Sequence, residues 1–551
     1  MTIRTERGLA ALLLLAFLVQ GLVAIRRDSV TVDEFIHLPV GLHMLRTGDL
    51  SKDPVNPPFP PMIAALPLLL RNPALEVGEM KHHFRLGYEF ETQNREEYQS
   101  LFESSRGMIL LLSLFLGLLV RRWATRLYGA KSGLTALFFF AFSPNLLAHG
   151  HLVTLDAAGA LGFLLATYSF WRLLERPSFP RASLAGAAFG LANLMKLSGV
   201  VLAGSIATLV LFEATRGLRA RGERGVSAAR WALLLLIAAV IALVVLNAGY
   251  GFDGTFRSLG EYRFYPDGLL KRAQNALPAL PVPLPRPFVR GLDIAMNAGK
   301  ADKPSYFLAG ELSKEGWWQY HLVAFAVKTP LPVLLLALFA TAAWAAGRSR
   351  GARDFCLFVP VLLLFLANSA FNSLDIGVRH LLPVYPLLWI GIAPHVADRL
   401  RGPVRAGTLL AAAAFLWTAV ACLSVAPRYL QFFNLPSGGP SRGYRLLIDS
   451  NYDWGQDLIR LREQMDENGI DGIALAYFGR VDPATYGIRY EPLDAETSHG
   501  VAAVSATFLM GRPYVWYGKE GLEWTEPRQF SWLSEREPID RVGAMFLYAL
   551  P

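Results

Sequence analysis

The chain predicts a polytopic α-helical membrane protein with a small α/β domain outside the membrane. Three observations carry that reading. Hydrophobic residues make up 53% of the 551 positions and charged residues only 18%, against about 25% charged in an ordinary soluble protein. The apolar residues gather in runs long enough to cross a hydrocarbon layer of about 30 Å at about 1.5 Å rise per residue. The lysines and arginines between those runs fall mainly on one side.

The same composition excludes an intrinsically disordered chain and argues against a purely soluble enzyme. The net charge is +9, but the cations sit between apolar runs, which is a membrane pattern, and no nucleic-acid partner is expected. Cys356 and Cys422 both lie inside apolar stretches, so neither a disulfide framework nor a thiolate metal cluster is expected. The sequence has no internal repeat and no low-complexity tract.

In chain order, about eleven spans are expected: Gly8–Ile25, Gly107–Val120, Ser132–Ala148, Leu152–Trp171, Ser183–Leu197, Ser198–Glu213, Trp231–Tyr250, Leu322–Ala346, Phe355–Phe371, Leu381–Ala397 and Ala406–Ala426. The fifth and sixth adjoin at Lys196-Leu197-Ser198, a tight hairpin. Arg4 and Arg7 precede the first, and Val23-Ala24-Ile25 is no small-residue cleavage site, so it reads as an uncleaved helix. One set of loops holds about twenty cations, in the stretches Arg4–Arg7, Arg121–Lys131, Arg172–Arg181, Arg216–Arg230, Arg348–Arg353 and Arg399–Arg405. The short loops of the other set hold Lys196 and Arg379. The N-terminus is therefore expected in the cytoplasm, and an odd number of spans puts the C-terminus outside. Loops 26–106 and 251–321 and the tail from about Pro427 all fall on the outer face. The expected organisation is a transmembrane domain over 1–430 and an extracytoplasmic α/β domain over 431–551.

Inside the first outer loop, Phe59–Leu70 is apolar but too short to span and holds Pro60, Pro61 and Pro67, which predicts an interfacial or re-entrant element. In the tail, strands are expected at Arg445–Asp449, Ile473–Phe478, Val501–Leu509 and Ala544–Ala549, with a helix at Gln456–Met465.

The chemistry must lie where polar residues gather against the apolar bulk. An ionisable group at mid-bilayer costs roughly 2.5–3.5 kcal/mol on insertion scales, so each near the membrane is informative. Asp33-Glu34 follows the first span. Neighbours i and i+1 on a helix do not face each other, so one carboxylate would face a substrate and the other a cationic neighbour; a loop acid or an N-cap after Thr31 is the plainer reading. Asp156 opens the fourth span after His149-Gly150-His151, where a helix dipole alone favours an acid, and His-x-His-x4-Asp is a weak metal spacing. Lys328-Thr329-Pro330 puts a cation about two turns into the eighth span, either snorkelling outward or facing a lipid phosphate. Lys196, Arg379-His380 and Arg106 offer further positive groups at that depth. In the tail, Asp449–Asp457 is dense in turn and capping residues, with Asp453 a candidate N-cap. Asn451, Trp454 and Gln456 belong to the same stretch, and turn chemistry accounts less well for Trp454 and Gln456.

Asp33-Glu34 followed by Asn56-Pro57-Pro58 and an apolar hairpin resembles the membrane glycosyltransferases of family 39, which include polyprenyl-phosphate-mannose protein mannosyltransferases and lipid A aminoarabinose transferases. Pro144, Thr154 and Asp156 are similar to that family's second acidic motif, and Lys196 to its lysine near the fifth span. Tyr320-His321, Lys328-Thr329-Pro330, Gly377-Val378-Arg379-His380 and Asp449–Leu458 resemble a bacterial subgroup described as phospholipid-carrier-dependent glycosyltransferases. The resemblance covers roughly residues 8–430. It implies a GT-C fold, a sugar donor carried on a polyprenyl phosphate, and a site on the non-cytoplasmic face of the plasma (inner) membrane. The large loops show no close match to the eukaryotic protein mannosyltransferases, so the acceptor stays open between protein, lipid and glycan.

On that resemblance Asp33 is the base, with Glu34 and Asp156 beside it. Lys328 and Arg379, with His380, Lys196 and Arg106, would meet the donor phosphate, and Asn451, Asp453, Trp454 and Gln456 would order a loop or meet the acceptor. A single displacement inverts the anomeric centre. No cofactor is certain, and any metal requirement is open, since the acids could hold a divalent cation or work alone. A transporter or flippase of a lipid-linked substrate would instead place charges at mid-depth, often in repeats, and a non-catalytic scaffold would leave the acids and cations dispersed.

Overall fold

The computed structural model describes residues 2–76, 83–219, 227–297, 305–348, 352–370, 374–399, 406–496, 498–519 and 521–551. Of the residues singled out above, Arg221, Arg224, Arg350, Arg401, Arg405 and Phe371 lie outside them. Among the described residues five helices are long and apolar enough to cross a membrane: Ile3–Arg27, Tyr98–Tyr128, Asp156–Glu175, Ala228–Gly249 and Ala406–Leu423. Tyr320–Lys328 and Leu331–Ala346 pass the same test as a pair bent by 120°. Shorter apolar helices run over Ala130–Ala141, Leu197–Phe212, Asp354–Ala370 and Val384–Ala397.

The helices carry their apolar residues on the outside as well as the inside. On Ile3–Arg27, Phe17, Gly21 and Ala24 are buried while Leu12, Leu15 and Val19 are exposed. An outward aliphatic face of that kind is stable against lipid and not against water. Small residues bring neighbouring helices together: a Cβ on Gly186 would lie 2.2 Å from the Ala238 oxygen and one on Gly190 would lie 2.7 Å from that of Ala242. Phe179–Met195 and Ala228–Gly249 therefore pack backbone to backbone.

Several expected spans are broken, each for a local reason. The third stops at Ala141, because Pro144 opens a new helix, Pro144–His149, capped by the Ser143 side chain. The fourth starts at Asp156 rather than Leu152. The eighth turns at Thr329-Pro330, where proline removes a donor and frees carbonyls one turn back. Those carbonyls find side chains: Asn145 Nδ2 donates to Lys328 O at 2.7 Å, and Asn434 Nδ2 donates to Ala326 O at 2.6 Å and Thr329 O at 3.0 Å. The tenth is preceded by a 3₁₀ turn, Val378–Leu381.

In the first outer loop, Phe59–Leu70 forms two short helices, Phe59–Ala65 and Leu68–Arg71, the first packed on Glu34–Thr47. Gly41 allows that approach, since a Cβ there would sit 2.1 Å from Pro61 O.

The tail builds a five-stranded mixed sheet in the order Tyr490–Pro492, Ile473–Ala476, Gly500–Ser505, Met545–Leu550, Asp540–Val542. The first three strands are parallel and the last two pair antiparallel. Arg445–Asp449 is not a strand: Arg445 ends one 3₁₀ turn, Gly443–Arg445, and Asp449, at φ 56°, opens another, Asp449–Asn451, with irregular backbone between them. Val501–Leu509 is a strand only to Ser505, then a helical turn, Ala506–Leu509; an unbroken apolar run carries no period to mark that change. The helix runs over Leu458–Glu467, and Asp453 does not cap it. Two backbone bonds stitch the tail to the first outer loop, Ser29 N to Gln456 O at 3.0 Å and Val32 N to Trp454 O at 3.1 Å.

Candidate active site

Four charged side chains from four distant parts of the chain meet in a line. Asp33 stands at the N-terminal end of Glu34–Thr47, and its side chain makes no cap bond to that helix. Its Oδ2 accepts from Arg379 Nη1 at 2.5 Å. The same nitrogen lies 3.6 Å from Asp156 Oδ2, and Asp156 Oδ1 accepts from Lys196 Nζ at 2.5 Å. Acid, base, acid and base alternate, so each charge has an opposite neighbour. Asp156 is the first residue of its helix, where the backbone N–H groups favour a negative charge. Lys196 sits on the extended residue that ends Phe179–Met195. It reaches Asp156 by lying across Gly159, where a Cβ would be 2.8 Å from the lysine chain. Exposure separates the two acids: the Asp33 side chain is 25% exposed and that of Asp156 is 2% exposed.

The tail holds Arg379 in place. Its guanidinium lies over the Trp454 ring, 4.5 Å from the centroid. Asn451 Oδ1 accepts from Val378 N at 2.9 Å, fixing the turn that carries Arg379, and Asn451 Nδ2 donates to Tyr320 OH at 2.8 Å. Gln456 fixes Trp454 in turn: its Oε1 accepts from Trp454 N at 2.7 Å and its Nε2 donates to Tyr452 O at 3.1 Å. The His149 ring meets Trp454 edge-on at 5.9 Å. Asn451, Trp454 and Gln456 are thus positioning residues for Arg379. Asp453 is turned the other way, accepting from Thr507 N at 3.0 Å, and burial pushes its carboxyl up to about 7.

Three more expected site residues are placed elsewhere. Glu34 is fully buried and spent: Arg106 Nε and Nη2 donate to it at 2.8 and 2.7 Å, with further bonds from Val153 N at 2.8 Å and Thr31 Oγ1 at 3.0 Å. Burial pushes its carboxyl up, but Arg106 and these donors hold it below the usual range. Arg106 is equally closed. Its remaining N–H groups donate to the carbonyls of Ile25, Asp28 and Ser29, so all five donors are used and none is left for a phosphate. Lys328 neither snorkels nor opens to a headgroup: it is 1% exposed, and its Nζ donates to Leu430 O at 2.7 Å and Asn451 O at 2.6 Å beside the Phe433 ring.

His380 lies next to Arg379, its Nε2 buried without a partner and its ring edge-on to His321 at 5.8 Å. His321 Nδ1 in turn lies 3.8 Å from Asp375 Oδ1. A second network went unread in the sequence: Asp28 accepts from Arg460 Nη2 at 2.7 Å and lies 3.1 Å from His151 Nε2. Its members lie up to 432 positions apart in the chain, and nothing in their local spacing signals a meeting. Among the described residues no group of three or more His, Cys, Asp or Glu side chains is arranged to hold a metal ion. Asp33 and Asp156, already paired with Arg379 and Lys196, do not fit a divalent cation.

An apolar groove of about 820 Å³ lies among the helices Phe179–Met195, Leu197–Phe212 and Ala228–Gly249. It passes Asn193 and Val200, on either side of Lys196, and is lined further by Phe189, Ala239, Leu246 and Phe288.

A many-helix membrane protein with paired charges gathered against its large loops is the class that fold and site define. Residues 101–247 match the sequence model of the family described as dolichyl-phosphate-mannose-protein mannosyltransferase. The match is a likeness over that stretch alone and leaves the rest of the chain outside the family model. No curated protein matches the chain in sequence. Among solved structures, the chain is similar to ArnT from Cupriavidus metallidurans in the apo state, at 14% identity over 98% of both chains with a TM-score of 0.47. It is also similar to the Archaeoglobus fulgidus oligosaccharyltransferase in the apo form, at 11% identity over 94% of this chain and 75% of that one, with a TM-score of 0.45.

Proposed function

We propose that the protein moves a monosaccharide from a polyprenyl-phosphate carrier to an acceptor on the outer face of the membrane, with Asp33 as the base. The observation that carries this reading is the line Asp33–Arg379–Asp156–Lys196, in which the acid at the accessible end has its second oxygen, Oδ1, unbonded to Arg379. Asp33 takes the proton from the acceptor hydroxyl, whose oxygen attacks the anomeric carbon as the bond from that carbon to the phosphate oxygen breaks. The electron pair leaves with the polyprenyl phosphate. Arg379, through its unpartnered Nε, and Lys196, through the N–H groups Asp156 does not use, meet the negative charge that grows there. A single displacement inverts the anomeric centre.

The buried Asp156 keeps both cations charged and aimed. The carrier's isoprenoid chain lies in the apolar groove lined by Asn193 and Val200, the groove residues nearest Lys196 in the chain. The N-terminus is cytoplasmic and the tail extracytoplasmic, which puts the site on the side of the large loops. In a transfer assay with a panel of polyprenyl-phosphate sugars, Asp33→Asn is expected to abolish transfer while donor binding persists; near-normal turnover would remove Asp33 from the role. Arg379→Gln and Lys196→Gln are expected to weaken donor binding itself.

A further inference from the structure

The second outer loop holds a basic pocket that this reading leaves unused. Its floor is the helix Arg286–Asn297, which is two-faced. Phe288 and Leu292, four apart, border the apolar groove, and Phe288 packs with Leu194, Leu246 and Tyr250. Arg286 and Arg290, also four apart, are offset from them by two residues, about 200° round the axis, and line a separate cavity of about 410 Å³. The helix is locked at this height by Gly291, where a Cβ would lie 2.3 Å from Pro54 O and 3.7 Å from Leu197 Cδ1. Leu197 follows Lys196, so the helix that floors the pocket packs against the residue next to a charged member of the site.

Arg257 and Arg263 join Arg286 and Arg290, giving four guanidinium groups against the single carboxylate of Glu261. Glu261 is taken by Arg257 at 3.4 Å, and Asp253 draws on Arg286 at 3.3 Å. Arg263 and Arg290 have no ion-pair or hydrogen-bond partner among the described residues. Tyr262, 7% exposed and in the pocket wall, has its hydroxyl buried without a partner. Like charges in one concavity repel within a Debye length of about 8–10 Å, and planar forks of donors match phosphate oxygens two at a time. The volume lies in the range of about 300–1,000 Å³ usual for small-ligand sites.

We propose that this pocket binds a phosphate group carried by the acceptor, separate from the donor phosphate at Arg379 and Lys196. The inference rests on the transfer reading for the word acceptor, but the binding is tested without donor or turnover. Calorimetric titration of the full chain in neutral detergent uses inorganic pyrophosphate and glucose 1-phosphate as soluble probes. Dihexanoyl phosphatidate is the lipid probe and dihexanoyl phosphatidylcholine its control. Binding of phosphatidate over the control identifies a lipid headgroup as the occupant, and binding of the soluble probes alone identifies a water-soluble phosphorylated acceptor; either supports the pocket. The doubly substituted chain Arg263→Gln with Arg290→Gln, whose lost side chains have no partners, is expected to bind at least about tenfold more weakly. Asp33→Asn is expected to bind as the parent chain does, so loss of transfer and loss of this site are read separately. Equal binding by parent and double variant, loss of binding through Arg379→Gln instead, or no binding of any probe would overturn the proposal.

Discussion

Asp33 and Glu34 are adjacent and have opposite fates. About 100° apart on a helix, they look at different surroundings: Glu34 at a buried guanidinium, Asp33 at Arg379 and the open edge. Removing one partner of a buried pair strands the other, at a cost of about 3–5 kcal/mol. Glu34→Ala is thus expected to lower the thermal unfolding midpoint by many degrees, while Asp33→Asn leaves it nearly unchanged; equal shifts would contradict the assignment. Glu91 gives a second residue-scale test. It accepts from Asp482 N at 2.8 Å and Thr485 Oγ1 at 2.7 Å, tying the first outer loop to the tail. Burial pushes its carboxyl from 4.5 up to about 7, with the charge of Asp482 adding and that of Arg95 opposing. The folded state therefore holds the proton more tightly. The contribution of Glu91 to stability is full below pH 4.5 and is lost as pH rises through about 7, by up to about 3 kcal/mol. In pH-resolved unfolding curves, Glu91→Gln is expected to remove that share of the slope. The sequence marked Asp33-Glu34 as special but left their roles divided, because the partner that decides, Arg106, is 72 positions away.

At the scale of elements, the turns between helices matter more than the helices. Gly159 is one turn along from Asp156 and clears a path for Lys196. Gly159→Ala is expected to keep the fold, push Lys196 off Asp156 and lower kcat/KM by about tenfold to a hundredfold, the usual effect of misplacing a group by about 1 Å. A parent-like rate would show that Lys196 need not lie there. Hydropathy located the apolar runs but could not see the 120° bend at Thr329-Pro330, since both limbs are apolar. The break at Phe142-Ser143 is better marked, by Ser143-Pro144, a cap and a first-turn proline inside an otherwise continuous apolar run. Lys328 was visible as an unusual cation. Its partners, the carbonyls of Leu430 and Asn451, were not, because backbone acceptors leave no trace in sequence.

Across the whole molecule, the tail and the membrane helices form one site. Lys328 grips the chain at 430 and 451, Trp454 supports Arg379, and Ser29 and Val32 bond to Gln456 and Trp454. Lys328→Met is expected to raise hydrogen exchange across 430–457 and reduce transfer, whereas Arg379→Gln weakens donor binding without that rise. Identical exchange in the two variants would uncouple Lys328 from the tail. The sequence showed an outer tail dense in Asp, Asn and Trp near residue 450. It could not show that those residues buttress an arginine more than seventy positions upstream, since no periodicity spans two elements of different type.

The support of Arg379 by Trp454 has a consequence for biosynthesis. While the ribosome is still adding the first four hundred or so residues, every transmembrane segment can already be inserted, yet the reaction centre lacks its last wall. On the proposed transfer reading, a nascent chain already held in the membrane is therefore inert until its final quarter has been made and has folded back onto the helices.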